Sequence, residues 1–122
     1  MNTYPFPKRL RLIRSADFRK VYNEGKTVRS QAFQLFYLLQ GEDKPARLGI
    51  TVTKRFGKAV RRNRIKRLIR EAFRQAQLCL KHGYDIVINV RSYADCLSQK
   101  EVSSELESLF SKAGLNSGAD NI

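Results

Sequence analysis

Residues 55 to 76, RFGKAVRRNRIKRLIREAFRQA, carry nine Lys and Arg side chains and one acid. Such groups bind phosphate oxygens, and guanidinium groups can do so through two parallel hydrogen bonds. Runs of like charge usually form tails, because they repel one another. Here, however, Ile65, Leu68, Ile69, Ala72, Phe73 and Ala76 recur at the spacing of one helical face, so the charge is predicted to sit on a folded helix. With Ile65 at the centre of the buried stripe, Asn63, Arg67, Arg70 and Arg74 lie opposite, flanked by Arg64 and Lys66. Arg61, Arg62 and Arg64 crowd the first turns, where the helix dipole makes each cation cost about 0.3–1 kcal/mol. Asn63 is a poor helix former in the same place. Local conflicts of this kind mark functional positions. A nucleic-acid phosphate would meet the dipole, free amides and guanidinium groups together, and Asn63 would add a donor and an acceptor for a 2′-hydroxyl or base edge. The plainer alternative is a solvated basic face. Acids on neighbouring turns normally balance such a face, and here Glu71 stands alone.

A second constellation is aromatic. Phe18 and Tyr22 are i,i+4 neighbours on a short helix, close to Phe36 if that helix covers the more polar sheet face, with Arg14, Arg19 and Lys20 around them. Rings beside cations suit single-stranded RNA, whose bases stack while its phosphates are neutralised. The same spacing also fits ordinary core residues, and spacing alone leaves both readings open. An autonomous active site is not visible. His82 is the single histidine and is read as a helix cap beside Gly83; Glu101 and Glu105 are read as a solvated i,i+4 pair. No glycine-rich phosphate loop or nucleophile–histidine arrangement appears.

The elements that must position these groups read as α-β-β-α-β-α, an α+β domain. SADFRKVYNEG is a short helix with Ser15 as N-cap and Gly25 as C′ residue. QAFQLFYLL and RLGITVTK alternate with period two and are predicted to pair as an antiparallel hairpin. The basic helix runs from about 58 to 81, YDIVINVR is a third strand, and a last helix buries Val102, Leu106, Leu109 and Phe110 before Gly114. The two longer helices are expected to cover the apolar sheet face. That leaves Gln34, Phe36, Leu38, Thr51 and Thr53 on a face with only the first helix nearby. The expected organisation is one domain over 1–114, whose residues 1–14 form an extended basic arm, and a disordered tail over 115–122.

Composition agrees with a binding role. The chain has 122 residues and a net charge of +13. Residues 1–29 contribute +6 and residues 54–74 contribute +9, around a near-neutral strand region. A charge this large repels itself and favours a polyanionic partner. Two cysteines without a C-x-x-C spacing suggest reduced thiols in the cytoplasm, with Cys79 expected in the core. No apolar signal segment begins the chain. LFYLL is too short to span a bilayer.

The segment FGKAVRRNRIKRLIREAFR, with its Arg62-Asn63-Arg64 triplet, resembles the arginine-rich signature of the bacterial ribonuclease P protein family. The flanking DFRKVYNEGK, RLGITVTKRFG and YDIVINVR are similar too, so the resemblance covers about residues 8 to 113. It implies an accessory subunit of the ribonucleoprotein that removes the 5′ leader of precursor tRNA by phosphodiester hydrolysis. The catalytic centre and its Mg²⁺ ions would belong to the RNA subunit, with no cofactor on the protein. By position, Lys54, Arg55, Arg62, Asn63, Arg64, Lys66, Arg67 and Arg70 would contact the catalytic RNA, and Arg14, Phe18, Tyr22 and Phe36 would line the leader cleft. Tyr22 stands where many members carry Phe, and Phe36 where Tyr is common. The resemblance further implies a cytoplasmic monomer in a 1:1 complex with the RNA, and a left-handed β-α-β crossover where the residues alone predict a right-handed one. The alternative is a ribosomal-type scaffold, which needs the same charge but no leader-sized cleft. A stand-alone nuclease lacks a centre, and membrane-surface binding would require the apolar face that the basic helix buries.

Overall fold

β-Strands that are apolar on both faces take the middle of a sheet, and this decides the topology. A computed structural model describes residues 10–41 and 43–116. Helix α1 (Ser15–Glu24) is followed by β1 (Lys26–Arg29), β2 (Phe33–Leu39), β3 (Arg47–Thr51), α2 (Ala59–Ala76), β4 (Tyr84–Val90) and α3 (Gln99–Ala113). Single 3-10 turns occupy Lys54–Phe56, Gln77–Cys79 and Ser92–Cys96. The sheet order is β1-β2-β4-β3. β4, whose Ile86, Val87 and Ile88 are buried on alternating faces, lies antiparallel to β2 and parallel to β3.

The expected β2–β3 hairpin therefore does not form. β4 inserts between the two strands, and α2 carries the chain back to lie parallel to β3, as a helical crossover does. The α+β class stands, but the sheet has a further strand. Lys26-Thr27-Val28-Arg29 contains one apolar residue and forms an exposed, charged edge, which hides it from a search for alternation and discourages edge-to-edge pairing.

Helices α2 and α3 cover one face of the sheet. Phe33, Leu35, Leu48, Ile86 and Ile88 pack there with Ile65, Leu68, Ile69, Phe73, Val102, Leu106, Leu109 and Phe110. α3 begins at a capping box between Ser98 and Glu101 and ends at Gly114 in the left-handed conformation (φ 73°). On the opposite face α1 closes a smaller cluster of Leu12, Val21 and Val87 with Phe18, Tyr22, Phe36 and Leu38.

Several local expectations are corrected. α2 ends at Ala76 and tightens into a 3-10 turn, which swings Leu80 into the core and leaves Leu78 and Cys79 exposed. His82 does not cap this helix; its Nδ1 pairs with Asp43 Oδ1 at 2.8 Å, and Gly83 takes a positive φ just before β4. Arg14 rather than Ser15 is the N-cap of α1, without a side-chain cap bond. Glu101 serves the α3 cap, and Glu105 is half-buried with one carboxylate oxygen enclosed and unpartnered. Leu115 is buried and its carbonyl accepts from the Lys81 N–H, so the chain stays attached beyond Gly114. Leu10 and Leu12 are likewise buried, and the Leu12 N–H donates to the Leu48 carbonyl at 2.8 Å. Residues 1–9 of the expected arm and 117–122 of the expected tail lie outside the described residues.

Two features lock the α1 side. Asp85, buried at the start of β4, accepts from Arg47 Nε and Nη2 at 2.8 and 2.7 Å and from Gln40 Nε2 at 2.9 Å, tying three strands together. Gly25 ends α1 with an extended backbone (φ −82°), so its role is close approach and not a left-handed turn. A Cβ there would lie 2.5 Å from the Val21 carbonyl oxygen and 2.7 Å from that of Tyr37. Both neighbours are backbone and cannot step aside. Gly25→Ala is expected to destabilise the fold by about 3 kcal/mol, the upper end of overpacking costs, read as a lowered urea midpoint. An unchanged midpoint would show that α1 can lift without loss.

Candidate nucleic-acid interface

The basic helix presents its cations in two directions, because the apolar stripe fixes its rotation on the sheet. On the flank facing α1, Lys66 and Arg70 line a depression of about 100 Å³ with Arg11, Leu12, Phe18, Leu48, Gly49 and Ile50. Burial lowers the Arg70 pKa, and the positive charge of Arg11 lowers it further. Two like charges held together in this way form a ready anion site, since a bound phosphate would relieve the repulsion. Arg62 lies one turn before Lys66 on the same flank.

On the other flank, Arg64 Nη2 donates to the Leu97 carbonyl at 3.1 Å, which leaves most of its five N–H donors for other acceptors. Arg61 forms a two-point ion pair with Asp95. This pairing offsets one of the cations crowding the α2 N-terminus, where the first turn contains no acid and the N-cap, Lys58, makes no side-chain bond. Asn63 and Arg67 are exposed between the flanks. Arg74, predicted on the same open face, is instead tied to Glu71, with Nε to Oε1 at 3.2 Å. That contact is the first cause of the lowered Glu71 pKa. Lys54 and Arg55 stand exposed on the 3-10 turn ahead of α2, which buried Phe56 anchors to the core.

The aromatic residues meet as the covered-face reading requires. Tyr22 and Phe36 are edge to face, with ring centroids 4.8 Å apart and planes at 90°. All three rings, Phe18, Tyr22 and Phe36, are half-buried, so each contributes to the small core and keeps an accessible edge. The two readings of Phe18 and Tyr22 are thus compatible. Phe18 can pack this closely on the sheet because position 49 is glycine: a Cβ there would come within 2.6 Å of Phe18 Cζ. Arg14, exposed at the α1 N-cap, stands at the entrance of the helix that carries both Phe18 and Tyr22.

Sequence reasoning missed Arg11, Gly49 and Asn89, and placed Thr51 on the correct face without assigning it a partner. The Tyr22 hydroxyl donates to Asn89 Oδ1 at 2.7 Å and lies 2.9 Å from Thr51 Oγ1. A glycine inside RLGITV and an asparagine inside IVINV were the available signals, since each breaks a good strand pattern. Among the described residues no three His, Cys, Asp or Glu side chains are grouped to hold a metal. Among them, too, no helix is long and apolar enough to cross a membrane.

The class that fold and site define is an α+β protein with one strongly cationic helix and a half-buried aromatic cluster on a four-stranded mixed sheet. The chain belongs to the ribonuclease P protein family, whose model matches residues 6–114. It is 43% identical to the ribonuclease P protein component of Desulforapulum autotrophicum, over 92% of this chain and 95% of that one. Among solved structures, the Staphylococcus aureus RNase P protein superposes with a TM-score of 0.82 at 32% identity, covering 88% of this chain and 97% of the other. The Thermotoga maritima RNase P protein gives 0.77 at 34% identity, over 84% and 96%.

Proposed function

We propose that the protein is the accessory subunit of ribonuclease P, acting in the cytoplasm as one copy per RNA subunit in the endonucleolytic removal of the precursor-tRNA 5′ leader. In this reading α2 and its preceding turn, through Lys54, Arg55, Arg62, Asn63, Arg64, Lys66, Arg67 and Arg70, engage phosphates of the catalytic RNA. The cleft of Arg14, Phe18, Tyr22 and Phe36 holds the single-stranded leader. The RNA subunit supplies the catalytic centre, where Mg²⁺ would activate the attacking water. The protein contributes binding energy and position: bases stack on half-buried rings while Lys66 and Arg70 neutralise the adjoining backbone.

The observation that carries this reading is the shared border of the two surfaces. Lys66 and Arg70 reach the same depression as Phe18 and Gly49, so one ligand strand can touch the Phe18 ring and the Arg70 guanidinium together. The test is precursor-tRNA cleavage at moderate salt and low Mg²⁺, with protein alone, ribonuclease P RNA alone, and both. Cleavage is expected only with both. Intact RNA binding without rescue of cleavage would assign the protein to rRNA scaffolding. Cleavage by the protein alone would place an active site on this chain.

A further inference from the structure

The 3-10 turn Ser92–Cys96 holds none of the proposed RNA contacts, yet it touches the basic helix at two arginines. Ala94 and Leu97 seat it in the main core, and the Leu97 N–H donates to the Ala94 carbonyl at 3.1 Å. From this base Asp95 accepts from Arg61 through both carboxylate oxygens, with Nε to Oδ1 at 3.3 Å and Nη2 to Oδ2. Two residues on, the Leu97 carbonyl accepts from Arg64 Nη2 at 3.1 Å. Arg61 and Arg64 are i,i+3 neighbours, so one short stretch of backbone addresses one flank of α2.

Arg61 reaches Asp95 with its side chain packed close over Gly57. A Cβ at position 57 would lie 3.2 Å from Arg61 Cδ and 3.3 Å from Nη1, and Gly57 has φ 148°, a backbone that favours glycine. Arg61 therefore links three segments: the turn that carries Lys54 and Arg55, α2 itself, and Ser92–Cys96. The pair with Asp95 is partly exposed, at 55% for the Arg61 side chain and 29% for that of Asp95, so its direct effect on stability is small. Its larger consequence is position. An arginine that docks on a phosphate loses rotamer freedom, and one already held loses less.

We propose that Asp95 is a positioning residue for binding of the catalytic RNA. By tying Arg61 it docks the Ser92–Cys96 turn against α2, which keeps the Leu97 carbonyl on the Arg64 guanidinium and orients Arg64 for its phosphate. The inference rests on Arg64 being an RNA contact. It gives an acid on a polyanion-binding surface an effect opposite to its charge. Electrostatics alone makes Asp95 unfavourable there, since it repels phosphate and occupies Arg61.

The test is binding of the full chain to ribonuclease P RNA over a salt series, for the unsubstituted protein, Asp95→Asn, Arg64→Ala and the double variant. Asp95→Asn removes a negative charge, yet it should weaken binding about fivefold, the ordering cost of one arginine side chain. The salt slope should stay nearly unchanged, because the same phosphates are contacted. In the Arg64→Ala background the same substitution should bring no weakening, since the side chain it serves is gone. Arg61→Gln breaks the pair while leaving the turn's own residues intact, and its cost should likewise shrink without Arg64. Thermal melts set an assay temperature at which every variant is folded. Tighter binding by Asp95→Asn, with a slope steeper by about 0.7–0.9, would make Asp95 a mask over Arg61 and overturn the proposal. So would an unchanged affinity, or a loss of equal size with and without Arg64. If Arg64→Ala alone changes neither affinity nor slope, Arg64 is not an RNA contact, and the inference falls with that premise.

Discussion

Raising monovalent salt from 50 to 200 mM should weaken binding to the ribonuclease P RNA by about 10³- to 10⁴-fold. The proposed surface holds seven cations, Lys54, Arg55, Arg62, Arg64, Lys66, Arg67 and Arg70. Each phosphate neutralised releases counterions and contributes about 0.7–0.9 to the slope of log affinity against log salt. Seven contacts give a slope of about −5 to −6, and a fourfold change of salt then yields that loss. Arg64 and Arg61 make the internal comparison. Arg64 spends one donor on the Leu97 carbonyl and keeps the rest, so Arg64→Ala should flatten the slope by about one phosphate's worth. Arg61 is already paired with Asp95, so Arg61→Ala should change the slope much less. Filter binding over a salt series decides it. A slope shallower than about −2 would return the basic helix to a solvated face, and equal effects of the two variants would mean that Asp95 releases Arg61 on binding.

Replacing Phe18 and Phe36 together by Ala should cost about two to three orders of magnitude in affinity for precursor tRNA, with affinity for the RNA subunit alone nearly unchanged. A stacked base contributes about 1–3 kcal/mol, and two adjacent stacking sites do not add fully. The asymmetry follows from placement. Both rings belong to the α1-side cluster, while α2 is anchored in the larger core on the opposite sheet face. Part of the change falls on stability, because the rings are half-buried, so circular dichroism must show the variant folded at the assay temperature. Equal losses for precursor and mature tRNA would exclude leader stacking as the cause. Phe36→Tyr should preserve affinity, since the ring remains.

Much of the chemistry was legible in the chain. The buried stripe from Ile65 to Phe73 was found from spacing and forms the α2 side of the core. Phe33, Leu35, Ile86 and Ile88 were assigned to the correct faces, and Gly114 terminates α3 as read. Helix boundaries fared worse where packing outweighed propensity. GlnLeuCys at 77–79 could extend a helix, but burying Leu80 requires the chain to turn. Gly25 was recognised as a stop for the wrong reason, since its need is backbone contact with Tyr37 across the β-sheet.

Local periodicity by itself determined which residues are inside, that the positive charge rides on an anchored helix, and that aromatic side chains lie beside cations. These properties depend on neighbours within a few positions, where 3.6- and two-residue repeats act. Only the tertiary structure decided that β4 enters between β2 and β3, that Arg11 meets Arg70, and that the Tyr22 hydroxyl reaches Asn89 and Thr51. Each of these joins residues far apart in the chain. Their meeting is set by which strand is apolar enough on both faces to occupy the centre of the sheet, a competition among all the strands that no single segment records.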